Sequence, residues 1–456
     1  FLEPQSGKLR SLAQRNQKKH ANKNVLSNGT LFHYLRQKAS EDKSDGGGEN
    51  EKNSLRSFMH ICFNIFIFRV FKGKKVFDEL KLDTELEKKN TEFCFDIFSK
   101  LNEEDYNKNI FISPLSISTV LSMTVQGAGT TTKDGMLKAL KYDGMDLDKI
   151  NESYRYILDY LSKTDKTIEL EINNSIWIRE GKQIKKDFID INKDVYNAYV
   201  TELDFSSPNA ADRINKWISD STKKKITDII DSPIPENTAM FLINAIYFKG
   251  DWAEKFKKQD TFTAKFQSGN GQTKEVMMME RKDTIEYGAK EDFKVVRLPY
   301  GKGTTSMYCV LPAKDVSIND FIKTLDVNKW EEIKNSISKA ENVTLNIPRF
   351  KIAYGTKELR DCLIAMGMEE AFTERADFSG ISEGLLFIDS VIHKAIIEVN
   401  EDGSTAAGST VVRMIDGAAI GEPLSFIADR PFLFFITEDV TGTILFMGKL
   451  YDCEKY

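Results

Sequence analysis

The sequence predicts a protein of the α+β class, with most of its helices in the first half of the chain and most of its strands in the second. Residues 82–102 repeat apolar side chains every three to four positions, as an amphipathic helix does. Residues 238–248 form a nearly continuous apolar run, which is typical of a strand buried on both faces. Two strand-like runs, 431–437 and 443–449, lie close to the C-terminus. No βαβ alternation and no internal repeat is found.

The remaining elements are predicted from local patterns. Pro114 follows the strand-like run 110–113 and stands at the first turn of a helix, where its missing N–H does no harm. Gly127 and Gly129 end that helix, and threonines 130–132 are expected to cap the next one. Further along we expect a strand at 168–178, a helix at 211–229, a strand–turn–strand at 295–312 with its turn at 300–303, a strand at 343–352, a helix at 359–366 and a long strand at 388–399.

The composition indicates a large folded region preceded by a different N-terminal segment. The 456 residues are 41% hydrophobic and 11% aromatic, and the formal charge of −5 gives no general case for a nucleic-acid partner. Residues 1–80 carry 15 lysines and arginines against 8 acidic residues, and they are polar. We interpret them as a mostly disordered extension. The folded domain is expected at 81–456.

Residues 58–71, FMHICFNIFIFRVF, are the apolar part of this extension. They are short for a membrane span, which needs about 20 residues. A degenerate signal segment, an interfacial helix, a segment that packs on the domain and a wrongly assigned gene start all remain open. Membrane contact by these residues is therefore left open.

Cysteine and histidine usage argues against a metal centre and against an enzyme. The cysteines are Cys62, Cys94, Cys309, Cys362 and Cys453, an odd number without CxxC spacing, so neither a disulfide framework nor a zinc site is predicted. We expect no metal and no cofactor. Cys94 lies on the apolar side of the first helix and is interpreted as a core residue. His393 is the one histidine after residue 80, so any histidine-dependent catalysis in the main body would rest on it alone.

Residues 401–431 lie between strand-like segments and combine a loop with a hidden strand. When residues 403–414 are read with a period of two, one face is small and uncharged, and the other face carries the only charge, Arg413. The small face consists of Ser404, Ala406, Gly408, Thr410, Val412 and Met414. Such a segment can stay in water and can also enter a sheet. On composition alone, a flexible linker is the competing interpretation.

From about residue 81 to 452 the sequence resembles the serpin family. The matching runs are NIFISPLSI (109–117), INKWI (214–218), FLINAIYFKGDW (241–252), LNIPRFKI (345–352), MGMEEAF (366–372), ADFSGIS (376–382), HKAIIEVNEDGSTAA (393–407), ADRPFLFFI (428–436) and ILFMGKL (444–450). One such run can arise by chance, but the whole ordered set cannot plausibly do so.

The resemblance implies a fold of three β-sheets with about eight or nine helices and an exposed reactive-centre loop, here within 401–431. It implies a suicide-substrate inhibitor of serine-type endopeptidases rather than an enzyme. The protease cleaves the loop to an acyl-enzyme, and the loop then enters the central sheet and traps the protease. We expect a monomer whose partner is a target serine protease. The alternative is a non-inhibitory serpin that acts as a carrier or a chaperone-like binder.

The resemblance also assigns residues of the loop. Those at its hinge and in its small-residue pattern are Glu401, Gly403, Ser404, Thr405, Ala406, Ala407 and Gly408. Thr405 stands where glutamate is more usual, but it belongs to the outward face. Family spacing places the reactive bond at Gly417–Ala418, which suits subtilisin-like or elastase-like proteases. A frame shifted by one residue gives Asp416–Gly417, which suits Asp-selective proteases.

Residues that control sheet opening can be carried over one by one. Ser113, Ser116, Asn244 and His393 match the shutter, a polar cluster under the central strands, and Trp252 matches the breach, where insertion begins. A buried asparagine needs a hydrogen-bond partner, and we expect His393 to be that partner. We expect an extracellular or secreted protein, and a cytoplasmic or membrane-associated one is left open.

Overall fold

The computed structural model describes residues 83–163, 165–404 and 424–455. These ranges hold nine α-helices and three β-sheets, which confirms the predicted α+β class and its architecture. The predicted extension, residues 1–80 with the apolar segment 58–71, lies outside the described residues, and the boundary near residue 80 stays a prediction.

The elements have the following bounds. The helices are α1 (Thr84–Glu104), α2 (Pro114–Val125), α3 (Thr130–Ala139), α4 (Leu147–Leu161), α5 (Lys186–Tyr196), α6 (Ala210–Ser221), α7 (Ile318–Lys323), α8 (Val327–Asn335) and α9 (Arg360–Leu363). The strands are β1 (Ile110–Ile112), β2 (Ile168–Arg179), β3 (Tyr199–Leu203), β4 (Met240–Asp251), β5 (Phe262–Gln267), β6 (Thr273–Ala289), β7 (Phe293–Tyr300), β8 (Thr305–Pro312), β9 (Ser338–Pro348), β10 (Phe350–Ala353), β11 (Lys357–Glu358), β12 (Ser390–Lys394), β13 (Ile396–Val399), β14 (Gly403–Ser404), β15 (Ser425–Ile427), β16 (Phe432–Glu438) and β17 (Ile444–Leu450).

The first two helices begin at side-chain caps. Asp83 caps α1 by accepting hydrogen bonds from the amides of Glu85 and Leu86. Ser113 caps α2, and Pro114 occupies its first turn as predicted. All residues of α2 are buried, because the helix runs beneath the central sheet and contacts both β4 and β17. Cys94 of α1 is buried, which confirms its assignment to the core.

The central sheet has the strand order β11-β12-β4-β2-β3, and the short β14 also pairs with β4. Both faces of β4 are buried for most of its length, as predicted. Even-numbered residues such as Leu242, Ile246 and Phe248 point into the main core. Odd-numbered residues such as Phe241 and Ile243 lie in a second cluster with α6 on the opposite face. This alternation fixes which side any neighbour of β4 must present to the core.

Several predicted elements differ in the structure. The predicted strand 343–352 is divided at Arg349 into β9 and β10, which belong to different sheets. The cap of α3 is Gly129 without a side-chain bond, because the Thr130 and Thr131 hydroxyls donate instead to the carboxylates of Asp377 and Glu370. The helix predicted to reach residue 229 ends at Ser221, since residues 223 and 224 adopt positive φ angles that no α-helix accommodates.

The predicted helix 359–366 and the predicted strand 388–399 are also interrupted. α9 passes into a π-helical turn, Ile364–Met368, in which Gly367 has a φ of 109°. The long strand is divided at Ala395 into β12 and β13. This second interruption creates the site described next.

Candidate functional site

The central sheet contains a stretch of β4 that lacks a neighbour on one side. β12 runs parallel to β4, with residues 390–394 facing residues 241–245. Beyond Ala395, β13 pairs with β10 instead. Among the described residues, no strand therefore pairs with residues 246–249 of β4 on this side. We call these four residues the open edge.

β14 occupies the far end of the same side of β4. Gly250 pairs with Ile168 of β2 on one side, so its pairing with Ser404 must lie on the other, in line with β12. β14 is antiparallel to β4, with Gly403 facing Asp251. The chain at residues 403–404 thus forms the first two residues of a strand that points along the open edge.

Gly403 is required for this close approach. Its φ of 143° is unfavourable for other residues, and a Cβ atom would lie 2.2 Å from the Gly250 carbonyl oxygen. Ser404 is 1% exposed, and its hydroxyl lies 3.0 Å from the Tyr300 hydroxyl. Both residues are therefore held inside the sheet.

Glu401 anchors the chain just before β14. Its carboxylate is buried and accepts hydrogen bonds from Arg349 Nε at 2.8 Å and from Thr261 Oγ1 at 2.5 Å. Burial alone would raise the pKa of Glu401, but the bonds from Arg349 and Thr261 outweigh it and hold the pKa below its usual value. The backbone oxygen of Glu401 accepts from the amide of Phe256 at 3.0 Å.

Asp402 and Trp252 complete the anchoring. The Asp402 carboxylate lies 3.2 Å from Lys258 Nζ and 3.6 Å from Lys255 Nζ. The Trp252 amide donates to the Asp402 carbonyl, and its indole N–H donates to the Asn400 carbonyl, both at 2.9 Å. The indole stacks on Tyr300 with ring centres 4.5 Å apart. The connection after β4 thus holds residues 400–404 from several directions.

A buried polar cluster lies where β4 and β12 pair. His393 Nδ1 is 2.7 Å from Asn244 Oδ1, and His393 Nε2 accepts from the Ser113 amide at 3.1 Å. The proton therefore resides on Nδ1. The Asn244 amide donates to Ser116 Oγ and, at 2.7 Å, to Asn174 Oδ1. Burial lowers the pKa of His393 to about 3, so the ring is neutral.

A family model described as "Serpin (serine protease inhibitor)" matches residues 88–453. The chain belongs to the serpin family. The description of the family is that of serine protease inhibitors.

Similar proteins cover most of this serpin. An uncharacterized serpin-like protein of Methanosarcina acetivorans is 35% identical over 395 residues, which are 84% of this chain and 92% of that protein. Leukocyte elastase inhibitor of Sus scrofa is 33% identical over 80% of this chain and 99% of its own. Among solved structures, the thermophilic serpin tengpin matches with a TM-score of 0.74 and 30% identity, over 84% of this chain and 96% of that chain. Human thyroxine-binding globulin, solved in complex with thyroxine, matches with a TM-score of 0.75 and 27% identity, over 81% of this chain and 99% of that chain.

The structure brings together most of the serpin site residues that can be located. Ser113, Ser116, Asn244 and His393 form one cluster, and the hydrogen bond expected between Asn244 and His393 is present. Trp252 donates hydrogen bonds to the backbone of Asn400 and Asp402, on either side of the hinge residue Glu401. The other assigned loop residues lie outside the described residues: Thr405, Ala406, Ala407, Gly408, Asp416, Gly417 and Ala418. No helix in ranges 83–163, 165–404 and 424–455 is long and apolar enough to cross a membrane.

Several residues of this site were not predicted from the sequence. Asn174 belongs to the polar cluster, and Tyr300, Arg349, Thr261 and Lys258 hold the hinge. Asn174 lies in a strand between Asn173 and Ser175, and the sequence does not distinguish it from these polar neighbours. The other four are ordinary residues of turns and sheet ends, and only their distant contacts identify them.

Arg349→Gln should destabilise the native protein by about 3 kcal/mol, because it leaves the buried Glu401 carboxylate without its cation. The midpoint of urea unfolding measures the loss. Lys351→Gln is the matched control, since Lys351 lies two residues away, half exposed and 4.0 Å from Glu398. Its change should stay within about 0.5 kcal/mol. Equal losses in both variants would show that the Glu401 contact carries no special weight.

Acidification from pH 7 to pH 5 should destabilise the protein through His393. The native ring has a pKa of about 3, against 6.5 for an exposed histidine, so in this range the unfolded chain binds a proton that the native state does not. Stability is lost as the pH falls from 6.5 towards 3, by at most about 1.4 kcal/mol per pH unit. His393→Gln should be less stable at pH 7 and show a smaller further loss at pH 5 in urea unfolding. Identical pH losses would contradict this assignment.

Proposed function

We propose that this serpin is a suicide-substrate inhibitor of serine-type endopeptidases, whose cleaved loop enters the central sheet along the open edge. The observation that carries the proposal is the position of β14. Two residues already pair with β4 at the far end of an edge whose next four residues lack a neighbour in the described part. A strand that continues from β14 would first pair with residues 246–249, where no other described strand has to be displaced.

The register of β14 predicts how far such a strand would reach. Ser404 faces Gly250, and each later loop residue would face the preceding residue of β4. Continued in this way, Met414 would face Met240, the first residue of β4. Residues 403–414 would then pair along the whole of β4, provided that β12 moves away from residues 241–245.

The same register predicts the surroundings of each side chain. Ala406 would face Phe248, whose side chain points into the main core, and Gly408 would face Ile246 on the same side. Small residues fit that position. Arg413 would face Phe241, which is buried with its ring centre 5.3 Å from that of Phe205. Full insertion therefore requires the α6 side of the sheet to adjust around Arg413.

The chemistry follows from cleavage of the loop as a substrate. The protease serine oxygen attacks the carbonyl carbon of Gly417, and the peptide bond to Ala418 breaks. The amino group of Ala418 leaves with a proton delivered by the protease, and Gly417 remains as an ester on the serine. Hydrolysis of this ester by water would release the cleaved protein from the protease. Loop insertion is proposed to be faster than this hydrolysis and to distort the protease active site.

The energetics favour insertion. An added strand of about ten residues gains on the order of ten backbone hydrogen bonds, at about 1 kcal/mol net each. The total of roughly 10 kcal/mol is comparable to the stability of a whole domain. Such a gain can offset the distortion of a bound protease, and it is available only while the inward side chains stay small and uncharged.

The bond Gly417–Ala418 favours a protease whose specificity pocket tolerates glycine, which is a subtilisin-like or elastase-like enzyme. If the bond is Asp416–Gly417, the target is Asp-selective. Cleavage at Arg413 by a trypsin-like enzyme would leave a short strand and give turnover. We further propose a monomer without catalytic activity that carries an N-terminal extension at 1–80. An extracellular place of action is proposed, with a cytoplasmic or membrane-associated one as the alternatives.

The alternative function is that of a carrier, and the similarity to thyroxine-binding globulin supports it. A panel of subtilisin, elastase, trypsin and an Asp-selective protease separates the two functions. Inhibition predicts a covalent complex that survives denaturing electrophoresis and a released peptide beginning at Ala418, or at Gly417 in the shifted frame. Complete cleavage by the whole panel without any complex would reject inhibition.

A further inference from the structure

A cavity of about 230 Å³ lies beside the hinge, between the connection that follows β4 and strands β6, β7 and β9. Its lining includes Trp252, Glu254, Phe256, Arg281, Ile285 and Leu298. This volume is below the 300–1,000 Å³ that is usual for drug-sized ligands. The cavity therefore suits a small molecule.

Arg281 is the unusual residue of this cavity. Its Nε is buried without a hydrogen-bond partner in the described structure, and its Nη1 donates to the backbone oxygen of Glu254. The guanidinium carbon lies 5.3 Å from the centre of the Phe256 ring. Within the described residues, no carboxylate forms an ion pair with it. Arg281 as a whole is only partly buried, but its Nε–H is shielded from water and has no acceptor. A shielded donor of this kind is costly unless a ligand acceptor reaches it.

The other charges around the cavity leave it cationic. Lys339 lines the cavity, is exposed and forms no ion pair with a described residue. Arg297 is already paired with Glu286 and, at 2.8 Å, with Asp439. The carboxylates of Glu254 and Asp283 attract the Arg281 guanidinium electrostatically, but neither forms an ion pair with it in the described structure. Apart from Thr284, the remaining lining is mostly apolar and includes Phe256, Ile285, Leu298 and Pro299.

We propose that this cavity binds a small organic acid with a flat apolar body. The acid group lies against Arg281 and Lys339, supplying the missing partner for Arg281. The apolar body packs against Phe256, Ile285 and Leu298. The lining requires both parts of the ligand. An inorganic ion would not contact the apolar side chains, and a neutral molecule would not provide a charged partner for Arg281.

Occupation of the cavity has a consequence for the hinge. The ligand contacts the connection at residues 252–256, whose backbone holds Glu401 and Asp402. A bound anion therefore stabilises the uninserted hinge and slows loop insertion. This consequence rests on the proposed function, whereas binding itself does not.

Isothermal titration of the intact chain with benzoate, benzyl alcohol and inorganic phosphate tests the site. Benzoate should bind saturably, and benzyl alcohol should bind at least about tenfold more weakly because it lacks the charge. Arg281→Gln should weaken benzoate binding about tenfold or more, which corresponds to one charged contact. Lys282→Gln, an exposed neighbour outside the cavity, should leave it unchanged.

Lys339→Gln keeps the test decisive if Arg281→Gln does not fold, because Lys339 is exposed, and it should also weaken binding. Four results would overturn the proposal: no saturable binding of benzoate, equal binding of benzyl alcohol, phosphate binding without benzoate binding, or equal affinities in the Lys339→Gln and Lys282→Gln variants. Because calorimetry reads binding without any protease, a failure here is distinguishable from a failure of the inhibitory function.

Discussion

Ala406→Arg is expected to convert the protein from an inhibitor into a substrate. In the inserted strand this side chain would face Phe248 and point into the main core. An unpaired charge buried there costs about 3–5 kcal/mol. Each 1.4 kcal/mol is a factor of about ten, so insertion slows about 100-fold or more and hydrolysis of the acyl-enzyme precedes it. The yield of covalent complex per cleaved loop measures this loss.

Ala407→Arg is the matched control for this change. Residue 407 would face Tyr247, which lies on the opposite face of β4, with Lys225 Nζ 6.0 Å from its ring centre. An arginine there can reach water, so most of the complex yield should be kept. Equal losses in the two variants would show that the register continued from β14 is wrong.

Asn244→Leu is expected to lower the free energy of unfolding by about 3–5 kcal/mol. The substitution leaves the Ser116 hydroxyl, the Asn174 amide oxygen and the His393 N–H without their partner in a fully buried place. Each buried unpaired group costs about 1–3 kcal/mol. The variant should also pass more readily into states with an altered central sheet, because these bonds join β4 to β2, α2 and β12.

Urea unfolding of the Asn244→Leu variant measures this effect. Asn335→Leu makes the same chemical change at the exposed end of α8 and should alter stability by no more than about 0.5 kcal/mol. A loss below about 1 kcal/mol for Asn244→Leu would mean that the cluster does not secure the sheet.

Local patterns were enough to predict much of the fold, because buried faces of helices and strands require apolar residues at regular spacings in the sequence. The apolar run of β4 predicted a strand buried on both faces, and the structure confirms it. The polar Asn244 within that run demanded a partner, and His393 provides it at 2.7 Å. Pro114 likewise marked the first turn of α2.

The partners of each strand could not be predicted in this way. The alternation along residues 388–399 is the same whether a strand pairs with β4 or with β10, so the sequence did not reveal the break at Ala395. Yet this change of partner creates the open edge. The same limit applies to the contacts of Arg349 with Glu401 and of Tyr300 with Ser404, because these residues are far apart in sequence.

Two local predictions, the cap of α3 and the end of the helix after residue 211, were wrong for different reasons. The threonines at 130–132 were expected to cap α3, but Thr130 and Thr131 donate instead to the carboxylates of Asp377 and Glu370, which are distant in sequence. The helix predicted to continue to residue 229 stops where the backbone turns to positive φ. In both places tertiary contacts or backbone geometry overrode a reasonable local preference.

Thermal unfolding before and after cleavage of the loop tests the central claim most directly. If the cleaved loop enters the sheet along the open edge, about ten new hydrogen bonds should raise the melting temperature by on the order of 10 °C or more. The cleaved chain should also lose the ability to form a complex. A protein whose loop is cleaved, with its melting temperature unchanged, would contradict insertion and with it the inhibitory mechanism.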